Sequence, residues 1–455
     1  MEVPKTPHSW IPSWCRWETD NPPPLTMRLN ILYACAAGFT SANLYYSYPI
    51  LHILAKDFNT TQTGVASIPA LAQAGDATGL LLILPLADFL PRRTFTITLL
   101  SLSMAFWIGL CVTTDLTVFL VLTYLSALFT GITQIMLPLV AELSRAEKRA
   151  FNISIVAAGP TLSILLARIL SGIVANYTSW RNVYWLALGL QGGVLLALWL
   201  FMPDYPAINP TPALKIVKTY PKILWTIVTM YWKHAVLVQA ALLSYCTFFC
   251  VSSFWTTLTF LLSEAPYRYS TTIIGIFGLV GAATMVLGPL YSTFIIKPLG
   301  QPLFSAIVGK CVSLIGIVVG TFAGRYNVAG PIIQALLLDA GLMIVQISNR
   351  MAIHPCEPKG GNRINTAFVS VLYLGQLSGT KAGNLMYEQH GGWLASGGLS
   401  IAVIAFSYVV ALLRGPHETG WIGWSGGWRL KPDVKRPEED PEAVNGRLAE
   451  EVKDG

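Results

Sequence analysis

Apolar stretches of about 20 residues, the length a helix needs to cross a bilayer core, alternate with short polar segments along most of the chain. We predict twelve transmembrane helices, at 29–53, 64–87, 94–114, 117–141, 151–175, 182–202, 235–262, 271–296, 301–323, 328–348, 364–387 and 392–413. A soluble protein does not tolerate so much apolar surface. The pattern therefore predicts an all-α polytopic membrane protein.

The polar segments divide the chain into five parts. Two six-helix bundles, at 29–202 and 235–413, are separated by a longer loop at 203–234, whose basic residues and two tryptophans suit a position at the membrane surface. Residues 1–28 form an N-terminal segment without a cleavable signal peptide pattern. Residues 414–455 are polar and acidic towards their end, which predicts a disordered tail.

The distribution of lysine and arginine orients the predicted helices. With both termini inside, the five inner loops hold 13 basic residues, the outer loops hold four and the tails hold ten. Basic residues resist translocation and stay cytoplasmic, so we expect both termini to be cytoplasmic. The sequon residues Asn59 and Asn176 then fall in outer loops, where we expect glycosylation.

The composition excludes several other classes of protein. Of the 455 residues 53% are hydrophobic and 12% are charged, and the mean hydropathy is +0.55. The net charge of +7 comes from basic residues scattered between apolar runs, which argues against nucleic-acid binding. The seven cysteines form no C-x-x-C pair and no zinc-type spacing, so we expect no metal and no cofactor.

The two predicted bundles share a weak internal repeat. Arg149 precedes Trp180 by 31 positions and Arg363 precedes Trp393 by 30, and each pair spans the fifth helix of its half. Transporters are often built from duplicated units of this kind. The repeat therefore predicts two pseudo-symmetric bundles.

Three stretches resemble the major facilitator superfamily, and within it the twelve-span drug:proton antiporter-like exporters. Residues 86–93 are similar to the family's loop between helices 2 and 3, although its glycines are missing, and residues 158–172 share a Gly-Pro pair with its helix 5 antiporter motif. The segment 43–46, with Asp339 and Arg363, is similar to a bacterial-type branch. The resemblance covers nearly all of the helical region and implies the fold of that superfamily and alternating access.

Five charged residues lie inside predicted helices, where a charge near the bilayer centre costs about 3 kcal/mol on insertion scales and needs a partner or a function. They are Asp76, Arg168, Lys310, Asp339 and Lys381. In the implied fold Asp76 and Lys381 face each other across the junction of the halves, and we hypothesise that they pair; a separate water-filled position for each is the alternative. Arg168 is expected at the same half-interface, where it would hold a carboxylate or bind an anionic group.

Asp339 is the first candidate for proton coupling, and Asp76 is the second. The resemblance places helix 10 at a central cavity, and a carboxylate buried there is suited to exchange protons. The alternative is an aspartate that packs between helices and hydrogen-bonds to neighbouring serine or asparagine side chains.

The resemblance also assigns positions in the substrate cavity to helices 1, 4, 7 and 10. The candidates are Asn43, Tyr45, Gln134, Tyr245, Phe249, Trp255 and Asp339. Aromatic rings would offer large apolar faces to a hydrophobic substrate, although such rings also serve in packing. At the inner helix ends, six charged residues are expected to form an inner gate: Asp88, Arg92, Arg93, Glu142, Arg145 and Arg149.

Taken with the resemblance, these features predict a monomeric exporter of small hydrophobic organic molecules, driven by protons and located in the plasma membrane or, alternatively, the vacuolar membrane. An importer or uniporter of a small metabolite would share the fold, and a receptor-like sensor also remains open. A membrane enzyme is not expected, because the spans contain no catalytic motif.

Overall fold

A computed structural model describes residues 12, 15–16, 25–145, 148–206, 213–286, 291, 294, 301–356, 361–418, 420–425 and 427. Within these segments the chain is almost entirely α-helical, as predicted. The first half contains α1 (Met27–Ala42), α2 (Leu51–Asp57), α3 (Gln62–Leu82), α4 (Arg92–Val112), α5 (Leu116–Leu128), α6 (Ile132–Leu143), α7 (Arg149–Tyr177) and α8 (Arg181–Phe201).

One helix, α9 (Ala213–Lys233), connects the first half to the second. The second half contains α10 (Ala235–Ser263), α11 (Thr271–Ile276), α12 (Gly278–Val286), α13 (Pro302–Ala323), α14 (Ala329–Ile353), α15 (Gly361–Gln389) and α16 (Gly392–Leu413). We call the end of the molecule at which α9 lies the α9 end.

Several helices begin at side chains that cap them. Thr26 Oγ1 accepts a hydrogen bond from the N–H of Leu29 (3.3 Å) at the start of α1. Asp115 Oδ1 accepts one from the N–H of Val118 (2.9 Å) at the start of α5. The first turn of a helix leaves such N–H groups without an intrahelical partner, so these residues fix where the helices start.

Among the described residues, nine helices are long and apolar enough to cross a membrane, and they coincide with nine of the twelve predicted spans. The predicted span 29–53 is a helix broken near its centre. The span 271–296 is described in full only as far as Val286, and the span 364–387 is the complete but more polar helix α15. The twelve-span count therefore stays a prediction.

Two predicted spans are interrupted, although their apolar pattern is continuous. The first loses its helical structure between Ala42 and Tyr48, next to Pro49, which lacks a backbone N–H. The fourth is broken between α5 and α6, at Phe129–Gly131. Irregular backbone at membrane depth is tolerated where it lines a cavity, and both interruptions border cavities.

Two segments that the sequence predicts to be a loop and a disordered tail contain ordered structure. The segment 203–234 contains α9, which exposes Trp225 and Trp232. At the start of the predicted tail, Arg414 Nε donates a hydrogen bond to the carbonyl oxygen of Gly420 (2.9 Å). The described residues at the start of the tail thus form local contacts, while residues 428–455, which make up most of the predicted tail, lie outside the described part of the chain.

Glycines allow close packing between α15 and α10. A Cβ atom added at Gly375 or Gly379 would lie 2.5 Å or 2.1 Å from the carbonyl oxygens of Tyr245 and Phe249, respectively. Small residues at four-residue spacing let two helix backbones approach, which favours helix association in lipid. The lower apolarity of α15 itself comes from its polar side chains, among them Asn365, Gln376, Lys381 and Asn384.

The internal repeat is visible in the helices. α7 and α15 both contain 29 residues, and Trp180 and Trp393 stand at the starts of the helices that follow them. Trp180 Nε1 donates to Asp57 Oδ2 (3.0 Å), whereas Trp393 Nε1 donates to the carbonyl oxygen of Gly320 (2.9 Å). The two halves thus keep equivalent positions with different partners.

The outer faces of the helices expose large apolar side chains to the surroundings. Examples from both halves are Phe201, Ile315, Phe322 and Leu412. An apolar surface of this extent is stable against lipid hydrocarbon and not against water. The chain is therefore a multi-pass membrane protein.

Candidate functional site

A cavity of about 260 Å³, the central cavity, lies between the two halves. Its walls come from the interrupted segment after α1 and from α7, α10, α12, α14 and α15. The lining residues are Tyr45, Tyr48, Pro160, Thr161, Ile164, Leu165, Arg168, Phe248, Val251, Ser252, Trp255, Gly278, Gly281, Asp339, Leu342, Met343 and Gln376. Most of these side chains are aliphatic or aromatic, so the cavity suits a largely apolar ligand.

Arg168 brings a positive charge from α7 into this cavity. Its side chain is only 7% exposed, and its Cζ atom lies 3.9 Å from the ring centroid of Trp255, 5.1 Å from that of Tyr48 and 5.8 Å from that of Tyr45. A cation over aromatic rings is attracted by their electron-rich faces. Its Nε atom is buried and has no hydrogen-bond partner among the described residues.

Asp339 brings a negative charge from α14 into the same cavity. It is 3% exposed, and its Oδ1 atom accepts a hydrogen bond from Trp255 Nε1 (3.3 Å). A Cβ atom at Gly281 would lie 2.3 Å from Asp339 Oδ2 and 2.7 Å from the ring of Trp255. The carboxylate and the indole can occupy these positions because α12 presents a glycine to them.

Trp255 therefore stands between a cation from one half and a carboxylate from the other. Arg168 and Asp339 interact electrostatically, but among the described residues Arg168 forms no ion pair within 4.0 Å. Each charge keeps polar atoms for a ligand, since neither is neutralised by direct contact with the other.

A second cavity of about 200 Å³, the Asp76 cavity, shares Tyr45 with the central cavity. Asp76 Oδ1 accepts a hydrogen bond from Thr130 Oγ1 (2.9 Å), and the side chain of Tyr373 is also bonded to Asp76. Thr130 belongs to the break between α5 and α6. The interruption of this helix thus places a hydroxyl donor on the carboxylate.

A third cavity of about 580 Å³, the vestibule, lies at the α9 end and shares Leu80 and Gln134 with the Asp76 cavity. The three cavities therefore follow one another along the interface between the halves. α9 borders the vestibule and contacts both halves, because the hydroxyl of Tyr220 donates to the carbonyl oxygen of Leu82 and that of Tyr231 donates to the carbonyl oxygen of Ala367 (2.6 Å). Burial raises the pKa of Tyr231 to about 12, so this hydroxyl stays protonated.

At the opposite end the halves are in direct contact. A Cβ atom at Gly275 of α11 would lie 2.6 Å from the carbonyl oxygen of Arg168. Glu388 Oε2 accepts a hydrogen bond from the N–H of Thr63 (2.6 Å), which lies in the first turn of α3, where a helix favours negative charge. The interface is thus closed at this end and widest at the α9 end.

Four of the predicted cavity residues line these cavities. Tyr45, Trp255 and Asp339 line the central cavity, and Gln134 lines the Asp76 cavity and the vestibule. The structure adds Tyr48, whose hydroxyl accepts a hydrogen bond from Gln73 Nε2 (2.6 Å). No sequence signal distinguished Tyr48 from the neighbouring tyrosines, because its position depends on the interrupted helix.

The other three predicted residues lie outside the three cavities. Asn43 Oδ1 accepts a hydrogen bond from Gln191 Nε2 (3.2 Å), within the first half. The hydroxyls of Tyr245 and Ser378 are bonded to each other (2.7 Å), and Phe249 is buried in the core of the second half. In this conformation these three side chains contact neighbours within their own half and not a cavity.

The predicted inner gate is not assembled as one cluster. Arg92 and Glu142 form an ion pair (2.7 Å), but both belong to the first half, so this pair does not join the halves. Arg93 is fully buried and donates hydrogen bonds to the carbonyl oxygens of Trp199 and Met202. It therefore caps the end of α8, as basic side chains do at helix C-termini.

The remaining predicted gate residues do not strengthen the gate in this conformation. Arg145 and Arg149 are exposed, and the side chain of Asp88 lies outside the described part of the structure. The predicted gate residues whose side chains are described thus form one ion pair, between Arg92 and Glu142, and one helix cap, by Arg93.

Asp76 and Lys381 are not brought together in this conformation. Asp76 is bonded to Thr130 and Tyr373, whereas Lys381 is exposed on α15, and among the described residues no ion pair joins them. Lys310 is 1% exposed and donates a hydrogen bond to the carbonyl oxygen of Leu243 (2.6 Å). The carbonyl oxygen of Leu243 thus supplies the partner that this buried charge needs.

Comparisons with known proteins agree with this architecture. The chain is 31% identical over 393 residues, 86% of its length and 97% of the relative, to an uncharacterised transporter YgaY of Escherichia coli O157:H7. It is 27% identical to the probable transporter SCO4007 of Streptomyces coelicolor, over 82% of this chain and 83% of that one. A crystal structure of a peptide transporter POT in complex with sulfate shares the fold, with a TM-score of 0.67, 14% identity and coverage of 86% and 96% of the two chains.

The family profile settles the classification. Residues 33–380 match the Major Facilitator Superfamily, which covers most of both halves. Members of this family move small molecules across membranes and are not enzymes. The chain belongs to the Major Facilitator Superfamily and is a transporter.

Proposed function

We propose that this transporter exports small hydrophobic organic molecules from the cytoplasm in exchange for protons. The observation that carries the proposal is the central cavity, whose largely apolar walls enclose the buried carboxylate of Asp339. Apolar and aromatic walls bind a greasy substrate without exact hydrogen-bond geometry. The carboxylate supplies a group on which proton and substrate can compete.

Competition for Asp339 would couple the two fluxes. The groups that face it are the Arg168 guanidinium, the Trp255 indole and the Tyr45 hydroxyl. A substrate donor bonds best to the ionised carboxylate, and protonation removes that acceptor. Substrate would therefore load when Asp339 is ionised and leave when Asp339 binds a proton on the other side of the membrane.

Asp76 would relay protons between the central cavity and the vestibule. Its cavity adjoins both, and the groups that face its carboxylate are Thr130, Tyr373 and Tyr45. The pairing of Asp76 with Lys381 remains a proposal for a different conformation of the transport cycle. The order of the cavities supports a proton path that avoids lipid.

The orientation follows from the basic residues at the α9 end, which favour a cytoplasmic location for that end and for both termini. In this orientation the structure is closed towards the outside, and the exposed residues Asn59 and Asn176 lie on the outer side, where glycans would attach. We place the protein in the plasma membrane as a monomer, with the vacuolar membrane as the alternative.

Flux measurements in proteoliposomes test the proposal. Vesicles containing the purified protein are loaded with a pH-sensitive dye and one compound at a time from a panel of fluorescent hydrophobic compounds, and the external medium is acidified. We expect compound efflux accompanied by internal acidification beyond that of protein-free vesicles. Movement of compound and protons in the same direction would identify a symporter, and flux without proton movement a uniporter; either result contradicts the proposal.

A further inference from the structure

We infer that the central cavity selects uncharged, dipolar molecules and rejects organic cations. The polar acceptor of such a molecule would face Arg168, its polar donor would face Asp339, and its flat apolar body would lie beside Trp255. This inference rests on the proposed function in one respect, because it takes Asp339 to be ionised when substrate loads.

Arg168 sets the requirement at one end of the ligand. A guanidinium stays charged at all physiological pH values and offers five donors. This one lines the cavity, is only 7% exposed, and has a buried Nε without a hydrogen-bond partner in the described structure. A ligand acceptor would meet that unused donor capacity, whereas a ligand cation would be repelled at short range in a poorly polar environment.

Asp339 sets the requirement at the other end of the ligand. An ionised carboxylate only accepts hydrogen bonds, and here one oxygen accepts a bond from Trp255. A ligand donor would be held by the remaining lone pairs, and a ligand anion would be repelled. The two charged groups therefore impose opposite requirements on the two ends of one ligand.

The rest of the described cavity wall carries no charged side chain. Among the described residues that line the central cavity, Arg168 and Asp339 are the two charged side chains. Their charges cancel, so the cavity is neutral overall but has two poles that belong to different halves. A ligand that bridges the poles contacts both halves at once, which suits a site that must be exposed to each side of the membrane in turn.

A matched series on one aromatic skeleton tests the inference by binding alone. Equilibrium dialysis against the full-length protein in lipid nanodiscs at neutral pH would use 2-naphthamide, 2-naphthoate and 2-naphthylmethylammonium. We expect the uncharged amide to bind at least about tenfold more tightly than either ion, the size of effect that a hydrogen bond to a charged group gives.

Two substitutions should change the order of affinities of the three compounds in opposite directions. Arg168→Met removes the repulsion of cations, so the ammonium compound should become the tightest ligand. Asp339→Asn removes the repulsion of anions, so naphthoate should become the tightest. Arg325→Met removes an exposed arginine outside the cavity and should leave the order unchanged.

The inference is overturned if the ammonium compound binds the unaltered protein as tightly as the amide, or if none of the three compounds binds. An order that neither Arg168→Met nor Asp339→Asn alters would also overturn it, provided that both variants elute as monodisperse protein. The series on the unaltered protein decides the matter if a variant does not fold. If the protein prefers the amide but shows no proton-coupled flux, only the proposed function is contradicted. If it shows proton-coupled flux but prefers the cation, only this inference is contradicted.

Discussion

Trp255 connects the two charged groups of the central cavity. Its ring lies against the Arg168 guanidinium, and its Nε1 donates to Asp339. One side chain thereby stabilises a buried cation and orients a buried carboxylate that comes from another helix. A substrate that displaces or tilts this ring would change the contacts of both charged groups.

The positions of Asp339 and Trp255 depend on Gly281. Replacement by alanine would place a methyl group 2.3 Å from the present position of Asp339 Oδ2, so the carboxylate and the indole would have to move. We expect Gly281→Ala to lower kcat/KM for transport about tenfold, because small displacements of positioned groups are costly. Transport assays in proteoliposomes would measure this.

The matched control is Gly189→Ala, where an added Cβ has no neighbour within 4 Å. It should transport like the unaltered protein. Equal activity of the two variants would mean that the position of Asp339 is unimportant for transport.

Arg93 is expected to act in folding and not in gating. Arg93→Met would leave the carbonyl oxygens of Trp199 and Met202 without this donor. We expect the free energy of unfolding to fall by about 2 kcal/mol, the usual cost of unpaired buried polar groups. Thermal unfolding in detergent should show a lower Tm, whereas the exposed Arg28→Met should not; an unchanged Tm for Arg93→Met would contradict the capping role.

Charged residues within apolar segments could be recognised in the sequence, whereas the residues that contact them in the fold could not. Asp339 and Arg168 could be selected because a charge in lipid needs a reason. Their common contact with Trp255 could not be predicted, since it joins three helices. The cap that Arg93 forms could not be predicted either, because the end of α8 is distant from it in sequence.

At the scale of elements, the contact between α7 and α11 closes the interface at the end opposite α9. It consists of small residues, Gly172 and Gly275, whose added Cβ atoms would lie 2.7 Å and 2.6 Å from carbonyl oxygens of the facing helix. At these two positions no side chain interlocks the helices. The contact is therefore suited to open and close during transport.

A bulky residue at this contact should hold the outer end open. Gly275→Leu would push α11 away from α7, so the distance between the outer ends of the halves should increase. Spin labels at Tyr177→Cys and Tyr326→Cys, two strongly exposed positions, would report it after the exposed Cys311 is replaced by serine.

We expect a longer mean label distance in Gly275→Leu and no change in Gly189→Leu, which lies on an exposed face of α8. An unchanged distance in Gly275→Leu would show that the α7–α11 contact does not control the outer end.

The helices themselves were largely predictable, and their interruptions were not. Among the described residues, eight predicted spans appear as long continuous helices and a ninth as the interrupted pair α5 and α6, because the bilayer requires a continuous apolar length. The break at Phe129–Gly131 places Thr130 against Asp76 on another helix, a contact that a pattern of hydrophobicity does not reveal.

At the scale of the whole molecule, the proposed function requires two bundles that expose one central cavity alternately. The vestibule at the α9 end and the close contact at the opposite end represent one state of that cycle. The basic residues predict that the vestibule faces the cytoplasm. The orientation can be measured independently of transport.

Epitope tags at the two ends of the chain test the orientation. We expect both tags to be accessible to antibody only after the cells are permeabilised, because an even number of crossings with cytoplasmic ends leaves neither tag outside. A tag that is accessible in intact cells would contradict the predicted topology.

The central claim, that Asp339 carries the proton that exchanges for substrate, is tested most directly by Asp339→Asn. This side chain keeps the shape of aspartate and cannot bind the coupling proton. We predict that the variant still exchanges substrate for substrate across proteoliposome membranes, at raised substrate concentration, and loses concentrative export driven by a pH gradient. The control Asp115→Asn, an exposed helix cap that asparagine also provides, should keep both activities; concentrative export by Asp339→Asn at the unaltered level would contradict the account.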